Sequence, residues 1–247
     1  MALLIRYYDI VDTGTIVPLG TNDSLYIAQG ATIGATTGAA VSATGIGQGV
    51  TVAGEAFGDS WGLYMGNYGT DGLYAVHVTD TGIIGASIGD AILLQAYGCR
   101  VENHGTIAGG STGISFASDQ FYSPGPTTSR LTNFGTISGE YAVFQVYNEP
   151  VVVINHGLIV GSSFSFLSGS FTGEGYLYAA DIIRNRGTMI GDISFGDLND
   201  LYDGRGGEVV GTVRGNGGED RFIPGQAEDV FDGGLGNDTL DFSPQRG

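Results

Sequence analysis

The sequence predicts an all-β fold: a parallel β-helix (β-solenoid) that runs on into a short parallel β-roll. Three observations predict it. The motif Asn-x-Gly-x-φ-x-Gly, with φ apolar, recurs four times; short apolar runs alternate with Gly, Asn and Asp turns; and over residues 215–241 the repeat shortens to nine residues. Apolar runs at helical spacing are missing. The apolar stretch 141–154 is β-branched and aromatic and carries Pro150, so it reads as strands.

The composition supports a packed chain. Of 247 residues, 45 are Gly and 6 are Pro, but 42% are hydrophobic, with 13 Tyr, 12 Phe and one Trp. That is enough apolar surface to offset the entropy of ordering, so the glycines read as turns rather than as a disordered linker. Net charge is −17, and all nine basic residues are Arg. A nucleic-acid binder needs a basic face, which excludes that class, and the same charge disfavours anionic membranes. The opening apolar run, residues 2–5, is too short for a signal core or a membrane span. Export therefore calls for a route without an N-terminal signal, and no membrane insertion is expected. Cys99 is the single cysteine, so no internal disulfide forms; it reads as a small buried apolar side chain. An extracellular chain without disulfides calls for another staple, and metal is the usual one.

The four strong repeats begin at Asn103, Asn133, Asn155 and Asn185, spaced 30, 22 and 30 residues apart. Weaker relatives begin at Asp12 and Asp80. A base period near 22 with insertions accounts for this spacing, and the insertions read as loops at 117–130 and 168–175. Such a period suits one coil of a solenoid, stacked on the next at about 4.8 Å. The asparagines are expected to hydrogen-bond along the axis. The Gly two residues later is expected at a position needing φ > 0. The apolar residue at +4 (Ile107, Ile137, Ile159, Met189) is expected to point inward. Residues 20–75 read as degenerate coils, and the first residues as a cap over the end of the stack. The domains are then 1–194, the solenoid with its cap, and 195–247, the roll.

In the tail, residues 215–241 fall into three tandem nonapeptides with Asp at the sixth position (Asp220, Asp229, Asp238) and an apolar residue at the eighth (Phe222, Phe231, Leu240). The third copy matches Gly-Gly-x-Gly-x-Asp-x-φ-x at every position. Upstream, Asp200 and Tyr202 keep the same offsets, whereas Val209 stands where an Asp belongs. Calcium takes six to eight oxygens from carboxylates and carbonyls. Gly215, Gly217, Gly233, Gly234 and Gly236 let the turns curl, and Asp200, Asp220, Asp229 and Asp238 close the shell with charge. Two nonapeptides make one coil, so Asp220 and Asp238 are expected to stack with a calcium ion between their turns. Asp229 faces the other side, where its stacking neighbour near 211 belongs to the degenerate copy. Hence about one to three ions are expected.

On these residues the tail resembles the RTX, or haemolysin-type, calcium-binding repeat family. The resemblance covers about a fifth of the chain. It implies type I export from a Gram-negative cell and folding on meeting extracellular calcium. It implies no particular activity, since such repeats accompany enzymes, toxins and adhesins. The family's usual further repeats and C-terminal secretion segment do not follow Leu-Asp-Phe-Ser in this sequence.

Catalytic signals are weak. His104 and His156 share a repeat position with Phe134 and Arg186, which reads as a solvent-facing turn two coils apart in the histidines' case, too far to share a metal; His77 stands alone. The arginines lie scattered along the sequence, a poor set for enzymes acting on acidic sugars. No Gly-x-Ser-x-Gly elbow occurs. Tyr64, Tyr68, Tyr74, Tyr122, Tyr176 and Tyr178 offer either core stacking or a face for glycans or self-association. The leading expectation is a secreted, calcium-binding solenoid serving as a structural or adhesive module, leaning away from an enzyme. Two alternatives stand beside it: a polysaccharide-active enzyme working beside the two insertions through paired carboxylates, and a self-assembling filament or lattice subunit.

Overall fold

The computed structural model of the chain describes residues 1–66, 73–118, 127–169, 179–225 and 228–243. Their named elements are all strands, and the strands pair in parallel within two sheets of 11 and 16 strands. The chain visits three faces in turn, the arrangement of a β-solenoid. The first face is the 11-stranded sheet, which runs from Leu3–Arg6 to Thr239–Leu240. The second and third faces merge into the larger sheet because Thr136–Val146 and Leu158–Gly169 each run round the corner as one strand. Both sheets continue unbroken from the longer coils into the short ones.

The coil length changes along the stack. First-face partners step by 21 (Leu3 to Ser24), 25 (Ser24 to Gly49), 26 (Gly49 to Ala75) and 25 (Ala75 to Arg100). They then step by 30 (Arg100 to Arg130), 22 (Ser129 to Val151) and 30 (Val152 to Ile182). The last steps are 19 (Ile182 to Leu201), 20 (Leu201 to Arg221) and 18 (Arg221 to Thr239). A uniform period of 22 therefore holds for only one step. The two 30-residue steps carry the expected insertions, parts of which (119–126 and 170–178) lie outside the described residues. The first residues, expected as a cap, contribute a regular strand to each face: Leu3–Arg6, Ile10–Asp12 and Val17–Leu19.

Stacking in register turns the period-2 alternation of each strand into continuous apolar columns. On the second face, Ile33, Ala56, Ile84, Ile107, Ile137, Ile159, Met189 and Val209 lie one above another, each at most 5% exposed. The expected inward pointing of the +4 residue is thus found and extends both ways beyond the four motif copies. A third-face column runs Val41, Leu63, Ile92, Ile114, Val143, Phe166, Ile193, Val213, Phe231. Each fully buried side chain of this size contributes about 1.5–3 kcal/mol, so the core accumulates coil by coil. Cys99 is buried in this core, with its thiol against the Ala96 carbonyl at 3.3 Å.

The asparagine ladder forms as expected. Each side-chain amide donates to the next coil's Asn Oδ1: Asn103 to Asn133 at 2.8 Å, Asn133 to Asn155 at 2.9 Å, and Asn155 to Asn185 at 2.9 Å. All four are fully buried. The role expected for the following glycine is corrected. Gly105, Gly135, Gly157 and Gly187 are not left-handed. A Cβ at Gly135, Gly157 or Gly187 would strike the carbonyl of the glycine stacked beneath it (Gly105, Gly135 and Gly157). The position excludes side chains because backbones approach closely there, not because the turn needs positive φ.

Candidate metal centre

The expected tail site is built from turns that stack in the 18-residue register. Arg221 pairs with Thr239 and Gly217 bridges to Leu235, which brings the turn 215–220 beside 233–238. Corresponding residues share the unusual backbone: Asn216 and Gly234 have φ of 67° and 91°, and Gly218 and Gly236 have 128° and 130°. Asn216 is the one non-glycine in this set, consistent with the tolerance of Asn for left-handed backbone.

Asp220 and Asp238 stack as expected, with the Asp220 amide donating to Asp238 Oδ1 at 3.0 Å. The relation extends upstream in a column. The Asp200 amide donates to Asp220 Oδ1 at 2.8 Å, the Asp181 amide to Asp200 Oδ1 at 2.6 Å, and the Val151 amide to Asp181 Oδ1 at 2.8 Å. Each aspartate stands just before a first-face strand. Asp181, Asp200 and Asp220 are 0%, 3% and 1% exposed, whereas Asp238, at the end of the stack, is exposed.

This geometry satisfies one oxygen of each carboxylate and leaves the other without a hydrogen bond: Asp181 Oδ2, Asp200 Oδ2 and Asp220 Oδ2 are all buried orphans. Such a group costs several kcal/mol when ionised, so it either takes up a proton or meets a cation. Burial accordingly pushes the Asp200 carboxyl up to about 9, with the charges of Asp181 and Asp220 adding to the rise. Burial lifts Asp181 to about 7 against the Val151 amide, and it raises Asp220 as well. The glycines make room for these carboxylates. A Cβ at Gly215 would collide with Asp220 Oδ2, and one at Gly233 with Asp238 Oδ2.

The residues therefore fit a hard cation: buried, unpaired carboxylate oxygens beside glycine turns rich in carbonyls. Among the described residues no group of three or more His, Cys, Asp or Glu converges as a metal cluster. Any shell here would draw most of its oxygens from backbone carbonyls and water, with carboxylates supplied one per turn. Asp229 stands apart. Val230 pairs with Thr212, which sets Asp229 beside Gly211 rather than beside a stacked aspartate, with the Glu208 charge acting on it. It is half-buried, takes the Gly225 amide on Oδ2 at 2.6 Å, and leaves Oδ1 unpartnered. Gly217 packs near Asp197 of the coil below.

Sequence reasoning missed two buried acids of this region, Asp181 and Glu149. Asp181 precedes Ile-Ile183 as Asp200 precedes Leu-Tyr202 and Asp220 precedes Arg-Phe222, so the pattern Asp-x-φ before a first-face strand was a readable signal. The same pattern occurs at Asp23-Ser-Leu25. There Oδ1 takes the Ala2 amide at 2.7 Å and Oδ2 the Gly20 amide at 3.1 Å, so this carboxylate is satisfied without a cation. Glu149 carries no local signal. It is 1% exposed, accepts from Ser129 Oγ at 2.5 Å and from the Gly98 amide at 2.7 Å, and leaves Oε2 orphaned. Burial raises it to about 7, and the Asp181 charge adds to this.

The other candidate residues are placed as follows. The His104 ring stacks on Phe134 at 4.7 Å, and Phe134 stacks on His156 at 4.9 Å, so an aromatic ring separates the two histidines on an exposed edge. His77 is not alone: its ring meets His104 at 5.7 Å. Tyr74 is a core residue whose hydroxyl donates to the Gly45 carbonyl at 2.7 Å, and Tyr64 Oη donates to Gln95 Oε1 at 2.7 Å. Tyr68, Tyr122, Tyr176 and Tyr178, and parts of both insertions beside which an enzyme's groove was expected, lie outside the described residues. No protein-family model, curated protein or solved structure matches the chain.

Proposed function

We propose that this protein is a secreted β-solenoid of structural or adhesive function, whose last coils form a calcium-binding roll of the haemolysin-type repeat kind. The observation that carries this reading is the aspartate column. Three buried carboxylates in successive coils, Asp181, Asp200 and Asp220, each retain an unpartnered oxygen, and the last of them lies against the glycine turn at Gly215, in a chain of net charge −17. Calcium between these turns supplies the positive charge that the column lacks and ties neighbouring coils together. Asp200, Asp220 and Asp238 hold it with carbonyls of the turns opened by Gly215, Gly217, Gly233, Gly234 and Gly236; Asp229 forms a weaker, one-carboxylate position. The long apolar columns give a stiff rod on which binding surfaces are displayed.

Calcium control of the fold fits export of a poorly folded chain followed by folding outside the cell, where the ion is abundant. The test is circular dichroism of the purified chain in calcium and in excess EGTA. The reading expects β-sheet signal and melting temperature to fall on chelation and to return with calcium but not with an equal ionic strength of sodium. An unchanged melt removes the calcium role.

A further inference from the structure

We propose that the outer side of the first face carries a binding groove for a linear polysaccharide bearing carboxylates, with Arg100 and Arg130 as the residues that grip them. This rests on the adhesive reading and names its ligand class, but it does not use the aspartate column. The groove has a volume of about 640 Å³ and crosses six coils, from the strand Leu3–Arg6 to the strand Ser129–Asn133. At about 4.8 Å per coil it runs roughly 24 Å along the solenoid axis.

The arginines scattered in sequence are brought together here. Arg100 and Arg130 are register partners on adjacent parallel strands, and both are exposed. Like charges directly opposite each other destabilise a sheet. Four other arginines are neutralised: Arg186 and Arg205 pair with Asp203, Arg214 with Asp192, and Arg221 with Asp241, whereas Arg6 and Arg184 form no ion pair among the described residues. Arg100 and Arg130 form no ion pair among the described residues, although the chain has 26 acidic residues. Glu102 also lines the groove, and its carboxylate is taken by His104 Nε2 at 2.8 Å. Two unneutralised guanidinium groups in a concave surface call for an external anion, and their planar forks suit a carboxylate.

The rest of the lining fits a sugar chain. Tyr26, Thr51, His77 and Thr132 belong to one outward column and offer hydroxyls, a ring nitrogen and aromatic faces. Gly49 and Ala75 continue the column of the two arginines and leave its floor low. A linear pyranose polymer lying along the axis repeats at close to the strand spacing, so successive units meet successive coils. Polynucleotides are disfavoured because two arginines must act against the whole chain's negative charge.

The experiment is isothermal titration of the full chain with hexagalacturonate, both dialysed against the same calcium buffer. The comparison ligands are the methyl ester of that oligomer and a sulfated dextran oligosaccharide. Expected are measurable binding of the acid, at least tenfold weaker binding of the ester, and weaker binding of the sulfated chain. R100A and R130A should each lose at least tenfold. R100K and R130K should lose less, and R184A, which removes an equal charge two coils beyond Thr132 on the same face and outside the groove's lining, should bind as the parent does. Circular dichroism confirms that the exposed substitutions leave the fold intact. The groove is overturned by absent binding of hexagalacturonate, equal binding of the ester, preference for sulfate, or arginine variants that bind normally. If the melt still responds to calcium in that case, only the groove falls; if binding persists without any calcium response, only the calcium reading falls.

Discussion

The asparagine ladder is buried, as is the aspartate column except for its last member Asp238; both stack in register along the first face, and they differ by one atom per side chain. The ladder closes the ends of strands through Asn103, Asn133, Asn155 and Asn185; the column opens strands at Asp181, Asp200, Asp220 and Asp238. An asparagine carries a donor and an acceptor, so each copy satisfies the next, and the ladder propagates without outside help. An aspartate accepts only. Each one takes an amide from the coil below and has nothing to pass on, so an orphan oxygen accumulates with every coil. The lesson is that a periodic polar column is self-sufficient when its side chain is both donor and acceptor. When it only accepts, its stability depends on a proton or a cation. Asp203 shows a third solution within the same coils: although burial opposes it, Arg205 and Arg186 hold this carboxyl well below its ordinary range.

Calcium removal gives the widest separation between the two regions. A ligand at about a thousand times its dissociation constant stabilises by about 4 kcal/mol, and a chain of this size shifts by about 2–4 °C per kcal/mol. Calorimetry in EGTA should therefore show a loss of about 10 °C, confined in hydrogen exchange to the coils that carry Asp200, Asp220 and Asp238. Protection that drops equally across the asparagine ladder would erase the distinction.

Asn133→Asp converts one rung of the ladder into the other type. It removes the donor to Asn155 Oδ1 and buries a charge, which should cost about 3 kcal/mol in urea unfolding. Calcium should not restore it, because Gly135 beside it is closed by backbone rather than opened toward a cation.

The reverse exchange, Asp220→Asn, should raise metal-free stability by about 1–2 kcal/mol by replacing a buried, unpartnered carboxylate with a side chain that carries no charge to bury. It should also shrink the calcium shift in melting temperature. A variant that loses stability without calcium would show that the column is satisfied in some other way.

The last contrast is the pH slope without metal. Asp200 is raised to about 9, and Glu149 and Asp181 to about 7, from ordinary carboxyl values near 4. The folded state then holds protons that the unfolded state has released. Stability contributed by this protonation is present at low pH and is lost as pH rises through about 7 and then 9. Melting in EGTA should fall steadily from pH 5 to pH 9, whereas in calcium the slope should flatten, because the ion needs the ionised carboxylates. A metal-free melt that rises over this range would contradict the orphaned oxygens.

Much of this was legible in the residues. The asparagine spacing announced the ladder, the +4 apolar residues announced one core column, and the nonapeptides placed Asp220 and Asp238 in neighbouring turns. Other features were hidden because they depend on what a neighbouring coil presents. Gly105, Gly135 and Gly157 look like turn residues in sequence, but a stacked carbonyl excludes their side chains. Glu149 looks like a surface acid beside Pro150, yet Ser129 and Gly98 enclose it from sequence distances of 20 and 51 residues.

By itself the sequence determined the all-β class, the direction in which each strand faces, and the stacking partners wherever the period was clean. Those properties follow from local alternation and from repeats that must superpose to bury their apolar side. The tertiary structure alone decided where the period varies between 30 and 18 residues, and so which side chains of distant coils share a column. It thereby joined Arg100 to Arg130, ran the aspartates back to Asp181, and left one oxygen each of Asp181, Asp200 and Asp220 unpartnered. Register is a cooperative property of the whole stack, and charge is neutralised or stranded according to the register reached.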